Sequence, residues 1–296
     1  KTQSAKLVCG YVYCDAGDGE STTDMVFAGH NIICENGAVL AESKLFENGL
    51  VYSEIDVAFL ASERRRISSG YYGEQVDYFC VPFNTETENV SLARAFSKTP
   101  FIPEEGAGLE ERTELILSIQ SKGLEKRLKH TNSKTAVIGV SGGLDSALAL
   151  LVVCRAFKAL GKSAKDVIAV TMPAFGTTAK TKSNSIKLIK ALGATPVTVP
   201  VGNTVLKHFK DIGHKPDDKN VTYENAQARM RTLVLMDIAN DNNVLVIGTG
   251  DLSELALGWA TYNGDHMSMY GVNASVPKTL VKHLIGHEAK KLGGKC

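Results

Sequence analysis

The stretch Ser141-Gly142-Gly143-Leu144-Asp145-Ser146 puts two glycines, two hydroxyls and a carboxylate within six residues. Gly142 and Gly143 permit a tight turn and a close approach of backbone to a bound group. Backbone N–H groups in such a turn, followed by a helix N-terminus, make an anion cradle. Ser141 and Ser146 add hydroxyl donors. Asp145 would repel a phosphate held there unless a cation lay between them. Mg2+ binds one or two carboxylates together with phosphate oxygens, so Asp145 reads as a metal ligand. The plainer alternative is a glycine turn whose Ser and Asp cap a helix. No lysine follows the glycines, which excludes the GxxxxGK[ST] phosphate loop.

A second stretch, residues 246–271, has the same grammar: apolar residues, then glycines, then polar side chains. Glu254 supplies a second carboxylate for Mg2+, and Thr249 is placed to bond a nucleotide. Trp259, the only tryptophan, and Tyr262 offer flat faces to a base or a nicotinate ring. An ordinary core aromatic is the alternative for Trp259. Lys278 carries a compact ammonium suited to a developing phosphate charge, with a solvated lysine after a proline as its alternative.

The elements needed to hold these residues are legible from residue 109 onward. LEERTELILSIQSKGLEKRLK has helical spacing, TAVIGV is a buried strand, and DSALALLVVCRAFKALG is a helix ending at Gly161. DVIAVTMP, PVTVPV and NNVLVIGTG read as further strands, separated by the helices AKTKSNSIKLIKALG and YENAQARMRTLVLMDIAND. Strands alternating with helices of this length predict a right-handed parallel α/β sheet. Its ligands belong at the carboxyl ends of the strands, where both chemical stretches fall. Residues 1–60 read instead as β-rich: KLVCGYVYC alternates, and Asn36-Gly37 between two apolar runs signals a hairpin. Residues 61–108 are polar, contain Pro82, Pro100 and Pro103, and are expected to be a connector. The expected division is therefore 1–60, 61–108 and 109–296.

Bulk properties exclude several classes. The net charge of +1 gives no electrostatic reason to bind nucleic acid or an anionic membrane. The Arg64-Arg65-Arg66 run reads as a solvated face. No apolar run approaches bilayer length and no signal peptide is visible. The six cysteines are scattered without a CxxC pair, which suits a reducing cytoplasm. His283 and His287 have metal-compatible spacing on an expected helix, but lack a third ligand.

SGGLDS resembles the pyrophosphate-binding loop of the N-type ATP pyrophosphatases, which include GMP synthetase, asparagine synthetase and NAD+ synthetase. VTYENAQARMR (221–231), GTGDLSELALGWATYNGDHMSMYG (248–271) and VPKTLVK (276–282) together resemble the glutamine-dependent NAD+ synthetases. The resemblance implies an ATP-pyrophosphatase (adenine nucleotide α-hydrolase-like) synthetase domain over 109–296. It also implies that residues 1–60 are the last part of an α-β-β-α nitrilase-type glutaminase domain. The family's Cys, Glu and Lys of glutamine hydrolysis would precede this chain. Cys9 and Cys14 are read as structural, at β-strand positions. The tail AKKLGGKC is read as truncated or divergent.

By position, the resemblance implies that Gly139, Val140, Ser141, Gly142, Gly143, Leu144, Asp145 and Ser146 grip ATP phosphates. It makes Asp145 and Glu254 the Mg2+ ligands and lets Thr249 contact ATP. Asn225, Arg229 and the run Trp259, Ala260, Thr261, Tyr262 would face deamido-NAD+. Asp265 and Lys278 would lie on a loop closing over the nucleotide. The implied reaction adenylates deamido-NAD+ with ATP and then aminates it with ammonia, derived from glutamine in the full-length enzymes. This chain by itself is expected to use external ammonia. A homo-oligomer is implied as well. Two alternatives stay open: another N-type ATP pyrophosphatase such as GMP synthetase, and a catalytically inactive nucleotide-binding fragment.

Overall fold

A computed structural model describes residues 1–17, 19–21, 25–67, 82, 98–102, 107–176 and 178–293. The chain divides into two compact units, one of residues 1–20 and 27–98, the other of 21–26 and 99–296.

In the first unit, helix α1 (Thr2–Leu7) precedes strand β1 (Gly10–Tyr13), and β2 (Ile32–Glu35) and β3 (Ala38–Glu42) follow. They form an antiparallel sheet in the order β1-β2-β3. The expected hairpin is present: Asn36 and Gly37 both take positive φ, at 42° and 85°, as a tight turn between right-twisted strands requires. The alternation read in KLVCGYVYC is corrected. Its first residues finish α1, which ends at Val8 in the left-handed region. Ser4 is fully buried there, and its hydroxyl donates to the Cys9 carbonyl at 2.7 Å. That local bond satisfies the helix end and leaves only Gly10–Tyr13 as strand, so Cys9 and Cys14 flank β1 and do not lie in it. Helix α2 (Val57–Ile67) runs past residue 61, where the connector was expected to start. Its Arg64 Nε donates to the Val8 carbonyl at 2.8 Å, and Arg66 pairs with Glu63. Residues 68–81, 83–97 and 103–106 of the expected connector lie outside the described residues.

The second unit carries the expected parallel sheet. Helix α3 (Ala107–His130) leads into β4 (Ala136–Gly139), α4 (Leu144–Ala159), β5 (Val167–Thr171), α5 (Ala179–Ala191) and β6 (Thr195–Thr198). After these come α6 (Gly202–Asp211), α7 (Val221–Asn242), β7 (Leu245–Gly248), α8 (Leu252–Leu257), β8 (Tyr270–Gly271) and α9 (Lys278–Lys291). The strands are all parallel, in the order β6-β5-β4-β7-β8. Pro196, which cannot donate to a ladder, sits on edge strand β6.

Strand alternation sends successive residues of β4 to opposite faces. Ala136 and Ile138 pack with Leu117 and Leu124 of α3, Leu148 and Phe157 of α4, and Leu280 and Leu284 of α9. Val137 joins Val170, Val246 and Ala239, with Leu235 of α7 against them. Burial on both faces is why these strands are uniformly apolar. The result is a doubly wound sheet with β4 and β7 adjacent at its centre. Their following loops, the two chemical stretches of the sequence, are therefore neighbours.

Candidate active site

The β4–α4 turn is shaped by Gly142, whose φ is +88° and whose missing Cβ would lie 2.8 Å from the Thr181 carbonyl oxygen. Ser141 Oγ accepts from the Gly143 N–H at 3.2 Å, and Ser146 Oγ donates to the Gly143 carbonyl at 3.0 Å. Gly143 is the N-cap of α4, and no side chain caps it. Asp145 is thus not a helix cap; it stands in the first turn with its carboxylate free for other work. Its Oδ1 is buried and has no hydrogen-bond partner among the described residues.

The β7–α8 turn is built by a capping box. Asp251 Oδ1 accepts from the Glu254 N–H at 2.9 Å, and Glu254 Oε2 accepts from the Asp251 N–H at 3.2 Å. Each carboxylate keeps one oxygen for the site. Lys278, the first residue of α9, aims its ammonium at them. Nζ lies 2.7 Å from Asp145 Oδ2, 2.8 Å from Asp251 Oδ2 and 3.4 Å from Glu254 Oε1. Burial disfavours the Lys278 charge, yet hydrogen bonds to Asp145 and Asp251 hold its pKa above the ordinary lysine value. Burial likewise works against the Asp251 carboxylate, but the Lys278 ammonium and the Glu254 N–H, each against one of its oxygens, hold its pKa below the ordinary value.

Asp145, Asp251 and Glu254 each offer a carboxylate oxygen, all within 4.8 Å of one another. Hard oxygen donors at this density, with one buried oxygen of Asp145 unpartnered, fit a divalent cation such as Mg2+. Asn273 fixes their frame. Fully buried, its amide Nδ2 donates to the carbonyls of Asp145 (2.9 Å) and Thr249 (3.1 Å), and its Oδ1 accepts from Gln120 at 3.1 Å. A single side chain thereby joins both strand-end turns to α3.

These turns open onto a cleft of about 730 Å³. Of the residues expected from sequence, Gly139, Val140, Ser141, Asp145, Ser146, Thr249, Glu254, Trp259, Ala260 and Asp265 line it. Gly142, Gly143 and Leu144 shape the turn without lining the wall, and Lys278 meets the carboxylates from α9. Asn225, Arg229, Thr261 and Tyr262 are not among the lining residues. The cause is helical phase. The stripe of α7 that faces the cleft runs through Tyr223, Gln227, Arg231 and Leu235, at i, i+4, i+8 and i+12, with Glu224 and Thr232 beside it, and Asn225 and Arg229 fall off it. Arg229 donates from Nε and Nη2 to the Tyr262 carbonyl at 3.2 Å, tying α7 to the 259–262 segment. Trp259 is 80% and Tyr262 74% exposed, so neither is a core aromatic.

Sequence reasoning missed several wall residues: Phe175, Lys219, Tyr223, Gln227 and Arg231. Phe175 and Tyr223 stack with centroids 5.9 Å apart. Burial lowers the Arg231 pKa, against the opposing charge of Asp265. It missed Asp251 too, although D-x-x-E ahead of LAL is a readable capping signature. Asn273 gave no signal. His287 lies on α9 as expected and faces Glu114, which Arg155 also pairs, so a counter-charge already serves that carboxylate.

The doubly wound parallel sheet, with the Gly142 turn and the Asp145 and Glu254 carboxylates at adjacent strand ends, is the α/β arrangement expected of the ATP-pyrophosphatase fold. The NAD synthase family model matches residues 116–289, and the chain belongs to that family. It is 42% identical to the glutamine-dependent NAD(+) synthetase of Mycobacterium tuberculosis over 96% of this chain and 44% of that protein. It is 31% identical to the NH(3)-dependent NAD(+) synthetase of Chlorobaculum parvum, over 58% of this chain and 60% of that one. Its fold matches a glutamine-dependent NAD+ synthetase from Acinetobacter baumannii in complex with ADP, with TM-score 0.71 and 22% identity over 98% of this chain and 47% of the other. The chain spans less than half the length of the mycobacterial relative.

Proposed function

We propose that this chain carries the ATP-dependent synthetase half of an NAD+ synthetase, forming NAD+ from deamido-NAD+, ATP and ammonia. The observation that carries the reading is the convergence of Asp145, Asp251, Glu254 and Lys278 at the carboxyl ends of β4 and β7, beside the Gly142 turn. The nicotinate carboxylate of deamido-NAD+ attacks the α-phosphorus of ATP, and pyrophosphate leaves into the 139–146 cradle. The N–H groups of that cradle and the Lys278 ammonium stabilise the developing phosphate charge. Mg2+ would be held by Asp145 and Glu254, and when bound it neutralises charge on the triphosphate. Ammonia then attacks the acyl adenylate, releasing AMP. No protein nucleophile is needed, because positioning and charge stabilisation supply the catalysis. Thr249 suits the ATP side. Trp259, Ala260 and Asp265 of the cleft wall suit deamido-NAD+, and Arg229 holds the 259–262 segment through Tyr262. Asn225, like Arg229, is assigned to deamido-NAD+ through the family resemblance.

In this reading residues 109–296 are the synthetase domain and 1–60 the remainder of a glutaminase domain, in a cytoplasmic protein. Exposed Leu233, Leu255 and Leu257 of α7 and α8 support self-association into a homo-oligomer. The test supplies ATP, Mg2+ and ammonium chloride and measures AMP and NAD+. Deamido-NAD+ should drive AMP release, while xanthosine monophosphate, the GMP synthetase substrate, should not. Asp145→Asn should lower the rate at least about 100-fold. Equal rates for the variant and the parent chain would refute the assignment.

A further inference from the structure

Lys278 stands where a divalent cation would. Its ammonium touches the same three carboxylates whose oxygens cluster within 4.8 Å, and two positive centres cannot share that space without strong repulsion. The lysine main chain is fixed: its N–H donates to Ser253 Oγ at 3.0 Å, and α9 is anchored in the core by Val281 and Leu284. The side chain is not fixed in the same way. It is half exposed, on a flexible four-carbon stem, so the ammonium can leave the cluster while its backbone stays at the mouth of the cradle. Asp251 has no such freedom, being fully buried and committed through Oδ1 to the start of α8.

We propose that the Lys278 ammonium is a resident counter-ion of the carboxylate cluster, which a divalent cation displaces and which then passes to the nucleotide phosphates. In the absence of nucleotide the lysine keeps Asp145, Asp251 and Glu254 in place and keeps metal affinity low. When metal and triphosphate arrive together, the ammonium gives up Asp145 and Glu254 and gains a phosphate partner. Metal and nucleotide binding are thereby made mutually dependent. The inference rests on the synthetase reading for the identity of the phosphate ligand, but not for the competition itself.

The test is Mn2+ binding to the full chain, followed by the loss of free-ion EPR signal without nucleotide. Lys278→Met should bind Mn2+ at least about tenfold more tightly than the parent chain, because a competing charge is gone. Lys278→Arg, which keeps the charge, should remain weak. Should the methionine variant lose its circular dichroism signal, Lys278→Gln repeats the comparison with a neutral side chain that still hydrogen bonds. The gap between parent and variant should narrow to within about threefold when a non-hydrolysable ATP analogue is added, since the phosphates then draw the ammonium away. Equal Mn2+ affinity for parent and neutral variants without nucleotide overturns the competition, and an unchanged gap with the analogue overturns the transfer to phosphate. A parent chain that forms no NAD+ would sink the synthetase reading while leaving the competition result intact.

Discussion

Asp251 and Glu254 divide their four oxygens between two tasks, one pair capping α8 and the other pair facing Lys278. Local helix chemistry thus sets the direction of the carboxylates. The same economy holds at Asn273, where one amide serves two carbonyls from turns far apart in sequence. Asn273→Ala would leave both carbonyls without this donor and take one acceptor from Gln120, whose Nε2 keeps the Val272 carbonyl. Each buried polar group left without a partner costs about 1–3 kcal/mol. A loss of roughly 2–4 kcal/mol is therefore expected in urea unfolding, with a higher Mg2+ midpoint for AMP formation because Asp145 is no longer tied to the β7 turn. Unchanged stability and Mg2+ dependence would deny Asn273 this role. At the cradle, Gly142→Ala adds a Cβ that meets the Thr181 carbonyl and strains a φ of +88°. Nucleotide affinity should fall at least about tenfold, and the folded state should lose about 1–3 kcal/mol. Isothermal titration and thermal unfolding measure the two effects separately.

Among elements, α3, α4 and α9 are held by charge as well as by packing. Arg155 of α4 pairs with Glu114 of α3 and with the buried Glu288 of α9 (2.6 Å), while Lys291 and His287 reach the same Glu114. Burial raises the Glu114 pKa, but the bonds from Lys291 and Arg155 outweigh it and bring it from 4.5 to about 2. A carboxyl with a depressed folded-state pKa binds fewer protons folded than unfolded. Its stabilisation is complete above pH 4.5 and is lost as the pH falls from there towards about 2. The melting temperature of the parent chain should therefore fall more steeply across that window than that of Glu114→Gln. The two curves should converge near its lower end, and parallel curves would exclude the linkage. The elements legible from sequence were the ones with long apolar periods, α3, α4, α5 and α7, the buried strands β4, β5 and β7, and the mostly exposed edge strand β6. Helix α8 and strand β8 escaped notice because six and two residues carry no readable period.

At the scale of the molecule, the parallel sheet makes one functional edge out of segments more than a hundred residues apart. Asp145 and Glu254 are neighbours because β4 pairs with β7 and not because of their order in the chain. Ligands that bind only this assembled edge should stabilise the folded state by mass action. A non-hydrolysable ATP analogue with Mg2+, at about 100 times its dissociation constant, should add about 2.7 kcal/mol, which is a few degrees of melting temperature for a unit of this size. Asp145→Asn should lose most of that shift. A full shift in the variant would move the nucleotide site elsewhere.

The sequence by itself determined the sheet, the glycine turn and the two carboxylates at the strand ends. Each of these is written in local periodicity or in residue types that only a special backbone or a charged ligand requires. Only the tertiary structure decided which face of α7 meets the cleft, that Asp251 joins the cluster, that Asn273 locks the two turns together and that Lys278 occupies their charge. These depend on helix phase and on contacts between distant segments, and neither leaves a mark in the spacing of neighbouring residues.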